Sequence, residues 1–435
     1  MSDFPPQPQD RDESDVGRAI HGLITELFPI CRSITGDGVR QTLRRLKEII
    51  PLEMHEVPTN TKVFDWTVPK EWNIRDAFIL DADGRKVVDF KKNNLHVLGY
   101  SVPIDQRMSL ADLQNHLYSL EDQPDAIPYL TSYYQERWGF CLTHNQRTQL
   151  KPGEYRVVID SDLKPGHLTY GECLIPGRLD KELFLSTYVC HPSLANNELS
   201  GPGVLTFLIK WILSQPRKYS YRVVFIPETI GSITYLSRNL ETMKRNIIAG
   251  FNLSCVGDDR AYSFLPSRAG DTLADRAARN VLRHRHPDFV SYSFLQRGSD
   301  ERQYCSPGVD LPVASVMRTK YGQYPEYHTS LDDLNLVTPA GLEGSYKAYQ
   351  DCIELLERNE TYRSNVLCEP QLGRRGLYPT LSTKASGASV QNMMDFLAYA
   401  DGTNDLLKIS DTIQVPPWEL YPIIEKLMSA GLLSC

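Results

Sequence analysis

The sequence predicts an α/β protein in which a mostly parallel mixed sheet is covered by helices. Between about residues 170 and 360, apolar runs rich in Val, Ile and Phe alternate with amphipathic helical patterns. Each apolar run is followed by a helix, an order typical of parallel sheets covered on both faces. The predicted strands are residues 183–189, 222–226, 247–255 and 311–317, and the predicted helices are residues 202–214, 233–246, 271–285 and 339–358.

Outside this region the pattern changes, which indicates additional domains. Short strand-like pieces separated by turn signals, such as Asp83-Gly84, predict a small inserted β domain. Three helical stretches near the C-terminal end predict a winged-helix domain. The predicted parts are a disordered tail (1–14), an α/β core (15–55 and 165–365), an inserted β-rich domain (56–164) and a winged-helix-like domain (366–435).

Composition and charge argue against several classes of protein. A net charge of −7 disfavours a surface built to bind nucleic acid or an anionic membrane. The nine cysteines include no Cys-x-x-Cys pair, a pattern that suits reduced thiols in a cytoplasm. The first 14 residues lack the segments of a signal peptide, and no run approaches the roughly 18–20 apolar residues that span a bilayer. We therefore expect a cytoplasmic protein.

The C-terminal module offers two interpretations, DNA reading or packing. Residues 365–435 hold five Lys or Arg against seven Asp or Glu, which disfavours contact with DNA. We expect packing or homodimerisation there, with no nucleic-acid partner.

His191 and Glu198 form the first candidate site. His191 directly follows an apolar strand, and open α/β sheets place their sites at the carboxyl ends of strands. A carboxylate seven residues later, in a turn-rich segment, makes the pair suitable zinc ligands. An equally good interpretation is a histidine that only caps the strand end.

Three further candidates follow other strands or lie before them. Glu228 ends a strand and opens a helix, so it is either a general base or an acid placed on the helix dipole. His328 is a candidate second imidazole ligand, and Asp300 is a further acid at the rim. Asp332 and Asp333 are expected to begin the next helix rather than bind metal.

Taken together, these pieces resemble the zinc aminopeptidase and glutaminyl-cyclase-like superfamily over residues 170–360. The whole chain is similar to bacterial aminopeptidase-like proteins with an inserted β domain and a C-terminal winged helix. The matching stretches are FPICRSITG at 28–36, WGFC at 138–141, CHPS at 190–193, IPETIGS at 226–232 and YHTSLD at 327–332.

The resemblance also shows departures from the two-metal pattern. Where the family has a bridging Asp, a ligand Glu and a ligand Asp, this chain has Asn197, Thr229 and Ser254. Two divalent ions in close contact need such carboxylates to offset their repulsion. We therefore expect one zinc ion at most, held by His191, His328 and a carboxylate. Glu198 is the first choice for that carboxylate and Glu228 the second; a site without metal is the alternative.

The leading functional hypothesis is a zinc-dependent amide or peptide hydrolase that acts on a small aminoacyl or amide substrate in a biosynthetic pathway. Glu228 would carry the proton with Asp300 nearby, and Arg32, Asn197 and Tyr327 are the candidate substrate contacts. Two alternatives remain open. One is an acyl transferase or cyclase that uses the same site, and the other is an inactive scaffold or binding protein.

Overall fold

The computed structural model describes residues 14–377 and 384–435. The predicted disordered tail falls outside them, apart from Ser14, which begins the first helix. The helices are α1 (Ser14–Leu27), α2 (Asp37–Lys47), α3 (Leu110–Leu113), α4 (His144–Thr148), α5 (Ser200–Ser214), α6 (Ile230–Asn246), α7 (Leu273–Arg285), α8 (Glu301–Tyr304), α9 (Pro339–Arg358), α10 (Lys384–Tyr399), α11 (Leu406–Ile413) and α12 (Pro417–Ser429). No helix in these two ranges is long and apolar enough to cross a membrane.

The strands fall into one large sheet and several small ones. They are β1 (Glu53–Pro58), β2 (Lys62–Val63), β3 (Trp66–Thr67), β4 (Glu71–Leu80), β5 (Lys86–Asp89), β6 (Ile104–Ser109), β7 (Leu117–Tyr118), β8 (Phe140–Cys141), β9 (Glu154–Lys164), β10 (His167–Ile175), β11 (Leu179–Tyr188), β12 (Tyr219–Ile226), β13 (Ile247–Leu253), β14 (Ser263–Leu265), β15 (Val290–Ser291), β16 (Val313–Met317), β17 (Thr361–Ser364), β18 (Asp401–Asp405) and β19 (Leu433–Ser434).

The large sheet has eight strands in the order β1-β10-β12-β11-β13-β16-β14-β15. Its four central strands, β12, β11, β13 and β16, run parallel. On one side β10 pairs antiparallel with β12 and with β1, and on the other β14 pairs antiparallel with β16 and parallel with β15. The predicted fold class is confirmed, because the four predicted strands are these central ones. Their carboxyl ends meet at one edge of the sheet, which is where sites gather in such folds.

The inserted domain is built on a four-stranded antiparallel sheet with the order β5-β4-β9-β6. Strand β1 pairs with β10 in the large sheet, so the core continues to Pro58, past the predicted boundary at residue 56. Between β1 and β4, residues 62–67 form a tight hairpin of β2 and β3. Strands β6 and β10 were not predicted, because their polar and apolar residues do not alternate regularly.

The C-terminal winged helix packs against the core through α7. Arg276 of α7 donates to both carboxylate oxygens of Asp405 at 2.7 and 3.0 Å. The Arg285 guanidinium lies 3.7 Å from the ring centre of Trp418, a cation–π contact. Asn280 donates to Ser410 and Asp411 of α11. The three predicted helices of this module are confirmed, and the chain turns after α12 at Gly431, where φ is +68°.

A buried ion pair joins the inserted domain to the core. Glu71, at the start of β4, accepts hydrogen bonds from Arg40 of α2, from Asn73 and from the backbone N–H of His167. Burial alone would raise the pKa of Glu71, but these hydrogen bonds and the charge of Arg40 lower it to about 2. The folded protein therefore favours the ionised carboxylate more strongly than the unfolded chain does.

Glu71→Gln is expected to lower the free energy of unfolding by about 2–3 kcal/mol at pH 7. Because the folded pKa lies below the ordinary value of 4.5, this contribution is present above pH 4.5 and is lost as the pH falls toward 2. Urea unfolding of both proteins at pH 7 and pH 3 measures the difference. A difference in unfolding free energy between variant and parent that is larger at pH 3 than at pH 7 would contradict the lowered pKa of Glu71.

Candidate active site

The predicted site residues converge at the carboxyl edge of the parallel strands. His191 follows β11, Glu228 follows β12, and the loop after β16 carries His328. Asp300 immediately precedes α8, and Arg32 reaches the site from the turn between α1 and α2. The structure therefore brings together residues that lie up to 296 positions apart, from Arg32 to His328.

One nitrogen of His191 is already engaged. Its Nδ1 lies 2.9 Å from Oε2 of Glu198, while Nε of Arg32 donates to the His191 carbonyl at 3.0 Å and lies 3.5 Å from Oε1 of Glu198. All three side chains are buried, with Glu198 completely inaccessible to solvent. The ion pair of Arg32 and Glu198 thus fixes the imidazole from behind and leaves Nε2 free.

Burial sets the protonation of this network. It lowers the pKa of His191 to about 3, with the charge of Arg32 acting in the same direction, so the imidazole is neutral. Burial raises the pKa of Glu198, while the charge of Arg32 and the backbone N–H groups of His191 and Cys190 act in the opposite direction and favour the ionised carboxylate. A neutral imidazole with a hydrogen-bonded Nδ1 is the form that binds a metal through Nε2.

Glu198 reaches His191 because the chain makes a π-helical turn over Ala195–Leu199 before α5. Asp332 caps that turn, accepting from the backbone N–H of Asn196 at 2.6 Å and of Asn197 at 2.9 Å. The expectation that Asp332 begins the following helix is wrong, since the next helix, α9, starts only at Pro339. The Asp332 carboxylate instead accepts from the two backbone N–H groups at the start of the π-helical turn, which have no partner within that turn.

The second carboxylate of the site faces the free nitrogen. Oε2 of Glu228 lies 3.8 Å from Nε2 of His191, and the Glu228 side chain keeps 21% of its surface exposed. Burial, with the charge of Asp300, raises the pKa of Glu228 to about 8. Asp300 is buried, and its Oδ1 accepts from the Thr229 backbone N–H at 2.8 Å and from Ser232 Oγ at 2.7 Å. Asp300 therefore supports the Glu228 turn from behind.

The second imidazole lies across the cleft from the first. The ring centres of His328 and His191 are 5.5 Å apart, and the His328 ring stacks on Tyr327 at 3.9 Å. Burial lowers the pKa of His328 to about 3, so this imidazole is also neutral. His328 has a φ of +57°, a left-handed backbone that few non-glycine residues adopt. Such strain at a cleft residue indicates that the loop is held for function.

The inserted domain contributes a residue that the sequence did not reveal. The Tyr129 ring lies 5.1 Å from the rings of both His191 and His328, and its backbone N–H donates to the His328 carbonyl at 2.8 Å. Its hydroxyl is 2.9 Å from that of Tyr133. Tyr129 therefore forms a wall of the cleft. The only signal for it was a run of aromatic residues at 129–138 in an otherwise irregular segment.

The three departures from the family pattern keep neutral side chains in the structure. Asn197 donates from Nδ2 to the Tyr188 hydroxyl at 2.8 Å, and its buried Oδ1 has no hydrogen-bond partner among the described residues. Ser254 Oγ is likewise buried and without a partner there. Thr229 has a φ of +64° and turns its hydroxyl to Arg302. These positions supply no anionic ligand for a second metal ion.

The donors that are present fit a single ion. Nε2 of His191 is free, and no hydrogen bond engages the His328 ring nitrogens within residues 14–377 and 384–435. Both rings are neutral, and neutral nitrogen is a preferred zinc ligand. Asn197 Oδ1 is a buried acceptor without a hydrogen-bond partner among the described residues, and such an oxygen is suited to face a cation. Two ions would lack the carboxylates that offset their mutual repulsion.

A second group of possible ligands surrounds the other nitrogen of His191. Donor atoms of Cys190, His191 and Glu198 lie within 4.8 Å of one another. Burial raises the pKa of the Cys190 thiol well above its usual range, and all three side chains are closed to solvent. Arg32 already neutralises Glu198. We interpret this group as the network that holds His191 rather than as an open catalytic metal site.

A cavity of about 710 Å³ lies on the other face of the Arg32 turn. It borders Cys31 and Ser33, on either side of Arg32, and continues against the inserted domain at Trp72 and Asn94. Its lining contains none of the eight predicted site residues. The cavity is therefore separate from the carboxyl edge of the sheet, where the titratable groups gather.

Comparison with known proteins shows the family to which this chain belongs. Residues 21–359 match the family described as a domain of unknown function, DUF4910, and residues 360–435 match a winged helix-turn-helix. A protein of Clostridium acetobutylicum is 48% identical over 406 residues, with 92% of each chain covered. Its provisional name assigns it to polysaccharide biosynthesis and gives it an aminopeptidase-like domain.

Solved structures confirm the predicted superfamily fold. A crystal structure of a provisionally named peptidase from Clostridium acetobutylicum has a TM-score of 0.93 at 46% identity and covers 97% of each chain. A zinc aminopeptidase from Bacillus subtilis has a TM-score of 0.56 at 13% identity, covering 79% of this chain and 96% of its own. The latter likeness shows the fold alone. The chain therefore belongs to the DUF4910 family, with an aminopeptidase-like α/β core and a C-terminal winged helix.

Proposed function

We propose that this protein is a metal-dependent hydrolase of small aminoacyl or amide substrates that uses a single zinc ion. The observation that carries the proposal is the arrangement of His191, whose free Nε2 faces Glu228 at 3.8 Å, with the neutral imidazole of His328 across the cleft. His191 and His328 would hold the metal. Glu198, the first choice for the carboxylate ligand in the sequence analysis, would instead orient His191 through Nδ1.

The chemistry that zinc would supply between the two imidazoles is Lewis-acid polarisation of the scissile carbonyl. Glu228 would take a proton from the attacking water and return it to the leaving amine. A carboxylate with a raised pKa suits both transfers. Asp300 would hold the Glu228 turn in place through Thr229 and Ser232. The exposed fraction of Glu228 gives the substrate access to this group.

A transferase or cyclase reaction in the same cleft is the second candidate. The observation that favours it is the aromatic wall formed by Tyr129, Tyr133 and Tyr327 around the two imidazoles. A wall of this kind limits the access of water and would let an amine compete as the nucleophile. Product analysis by mass spectrometry on a panel of N-aminoacyl amides, with and without an added amine acceptor, distinguishes free acid from transferred acyl group.

Glu228→Gln is expected to lower kcat by roughly 10²–10⁴-fold while the variant keeps its metal. The substitution preserves size and hydrogen bonding but removes the group that carries the proton. Activity on the amide panel and the metal content of the same preparation are the two measurements. The matched control is Glu241→Gln, an exposed position on α6, which should change neither value. Loss of metal from Glu228→Gln would instead make Glu228 a ligand.

The setting of the reaction is also part of the proposal. The name of the Clostridium acetobutylicum relative supports a substrate from a biosynthetic pathway. We propose a cytoplasmic protein whose winged helix serves packing or homodimerisation rather than DNA binding. The ion pair between Arg276 and Asp405 and the contact between Arg285 and Trp418 support this, because they tie the module to α7 of the core.

A further inference from the structure

Arg302 lies beside the candidate catalytic carboxylates but forms no ion pair with a carboxylate among the described residues. Arg302, in α8, donates from Nη2 to the Thr229 hydroxyl. Its Nε is buried and has no hydrogen-bond partner in the described part of the chain. Among those residues, no carboxylate oxygen lies within the 4.0 Å of its guanidinium that defines an ion pair. The Arg302 guanidinium therefore has N–H groups at the edge of the site that a ligand could use.

Several other arginines in the described residues pair with carboxylates. Arg32 pairs with Glu198, Arg222 lies 2.6 Å from Glu182, and Arg260 lies 2.8 Å from Glu326. Arginine that is partly removed from water is normally paired in this way, because desolvation of an unpaired charge is costly. Arg302 and Arg318 have no carboxylate partner among the described residues. Arg318 stacks on Tyr262 instead, whereas the half-buried Arg302 can bind a carboxylate of a ligand.

The position of Arg302 connects it to the reacting groups. Burial raises the pKa of Glu228, of Asp300 and of Tyr327, and the charge of Arg302 opposes that shift at all three. Arg302 is half-buried, so one side of the guanidinium remains open to solvent. A ligand could therefore touch Arg302 and Glu228 at the same time.

The strained residue Thr229 organises this corner. Its hydroxyl accepts from Arg302, its backbone N–H donates to Asp300, and it directly follows Glu228. A φ of +64° in a β-branched residue costs roughly 1–3 kcal/mol and persists only where the surroundings impose it. The hydrogen bonds of Thr229 hold Arg302 and Asp300 in fixed positions beside Glu228.

We propose that Arg302 binds a free carboxylate of the substrate, so that the substrates are amides that carry one carboxylate near the scissile bond. This inference rests on the proposed function. The planar guanidinium offers two parallel N–H donors, which match the two oxygens of a carboxylate. The class includes N-acyl amino acids, with the carboxylate on the leaving amine, and monoamides of dicarboxylic acids, with the carboxylate on the acyl side. The substrate contact predicted for Arg32 fits Arg302 better, because Arg32 is buried behind His191.

Calorimetric titration of the full chain with matched probes tests this inference. The probes are N-acetyl-leucine, its uncharged analogue N-acetyl-leucinamide, and succinamic acid with its uncharged analogue succinamide. We expect at least one carboxylate probe to bind more tightly than its neutral analogue. Arg302→Met should lower the affinity for that carboxylate probe by roughly 10–100-fold and change the affinity for its neutral analogue by less than about twofold. Arg302→Lys keeps the positive charge but lacks the two parallel N–H donors. Its affinity for the carboxylate probe should therefore lie between those of the parent protein and of Arg302→Met.

A control variant and the binding data distinguish failure of the carboxylate site from failure of the proposed hydrolase function. Arg297→Met removes an exposed charge from the same segment and should leave all four affinities unchanged. Equal weakening of charged and neutral probes by Arg302→Met would overturn the proposal, and so would a parent protein that binds neither carboxylate probe or does not prefer it. Charge-selective binding without turnover of any amide would refute the hydrolase function while leaving the carboxylate site standing.

Discussion

Replacing His191 with alanine is expected to leave the protein without bound zinc and to lower kcat/KM by at least about a thousandfold. The variant removes the Nε2 that faces Glu228 and leaves His328 as the remaining imidazole of the pair. A metal that polarises a carbonyl contributes several kcal/mol to the transition state, and each 1.36 kcal/mol is a factor of about ten in rate. The measurements are metal content by mass spectrometry, on protein purified without chelator, and turnover on the amide panel.

His116→Ala is the matched control for this variant. His116 stacks on Trp138 in the inserted domain at a ring distance of 3.7 Å, away from the cleft, so its loss should change neither metal content nor rate. Zinc retained by His191→Ala would place the ion elsewhere. If neither the parent nor the variant contained metal, the mechanism would fail and the inactive scaffold or binding protein would become the better hypothesis.

The sequence predicted the part of this site that follows from strand order. Parallel strands deliver the residues after their carboxyl ends to one edge, so His191 and Glu228 could be placed together before any coordinates were known. His328 was predicted as a second imidazole because its segment follows the predicted strand at 311–317, and its loop does follow the last parallel strand. The four central strands were predicted because they are buried on both faces and therefore continuously apolar.

What the sequence did not predict depends on long-range packing and on side-chain direction. Tyr129 belongs to an irregular segment of the inserted domain, and only its backbone pairing with the His328 loop brings it to the cleft. The spacing of His191 and Glu198 indicated proximity, but it could not show that the carboxylate faces Nδ1 rather than Nε2. Arg302 could not be predicted, because the sequence does not show which carboxylates lie near a guanidinium in the folded chain.

Arg32→Met is expected to lower the free energy of unfolding by about 3–5 kcal/mol, the largest stability effect among these variants. The side chain is almost fully buried and pairs with Glu198, which has no exposed surface. Removing the cation leaves a buried carboxylate with its main counter-charge gone. Arg260→Met is the control, because its pair with Glu326 is only partly buried, with 47% of the Arg260 side chain exposed, and its loss should cost less than about 1 kcal/mol. Urea unfolding of both variants at pH 7 measures the difference.

The double variant Arg32→Met/Glu198→Leu separates stability from function. Replacing both partners of a buried ion pair with apolar groups is often neutral, so the double variant should regain most of the lost unfolding free energy. It should not regain metal affinity, because the bond from Glu198 to Nδ1 that orients His191 is gone, and loss of such a bond typically weakens metal binding 10–100-fold. A double variant that recovers both stability and full metal affinity would show that the pair only supports the fold. Recovery of stability alone would assign the buried pair to the positioning of Nε2 toward Glu228, which is the feature on which the proposed chemistry depends.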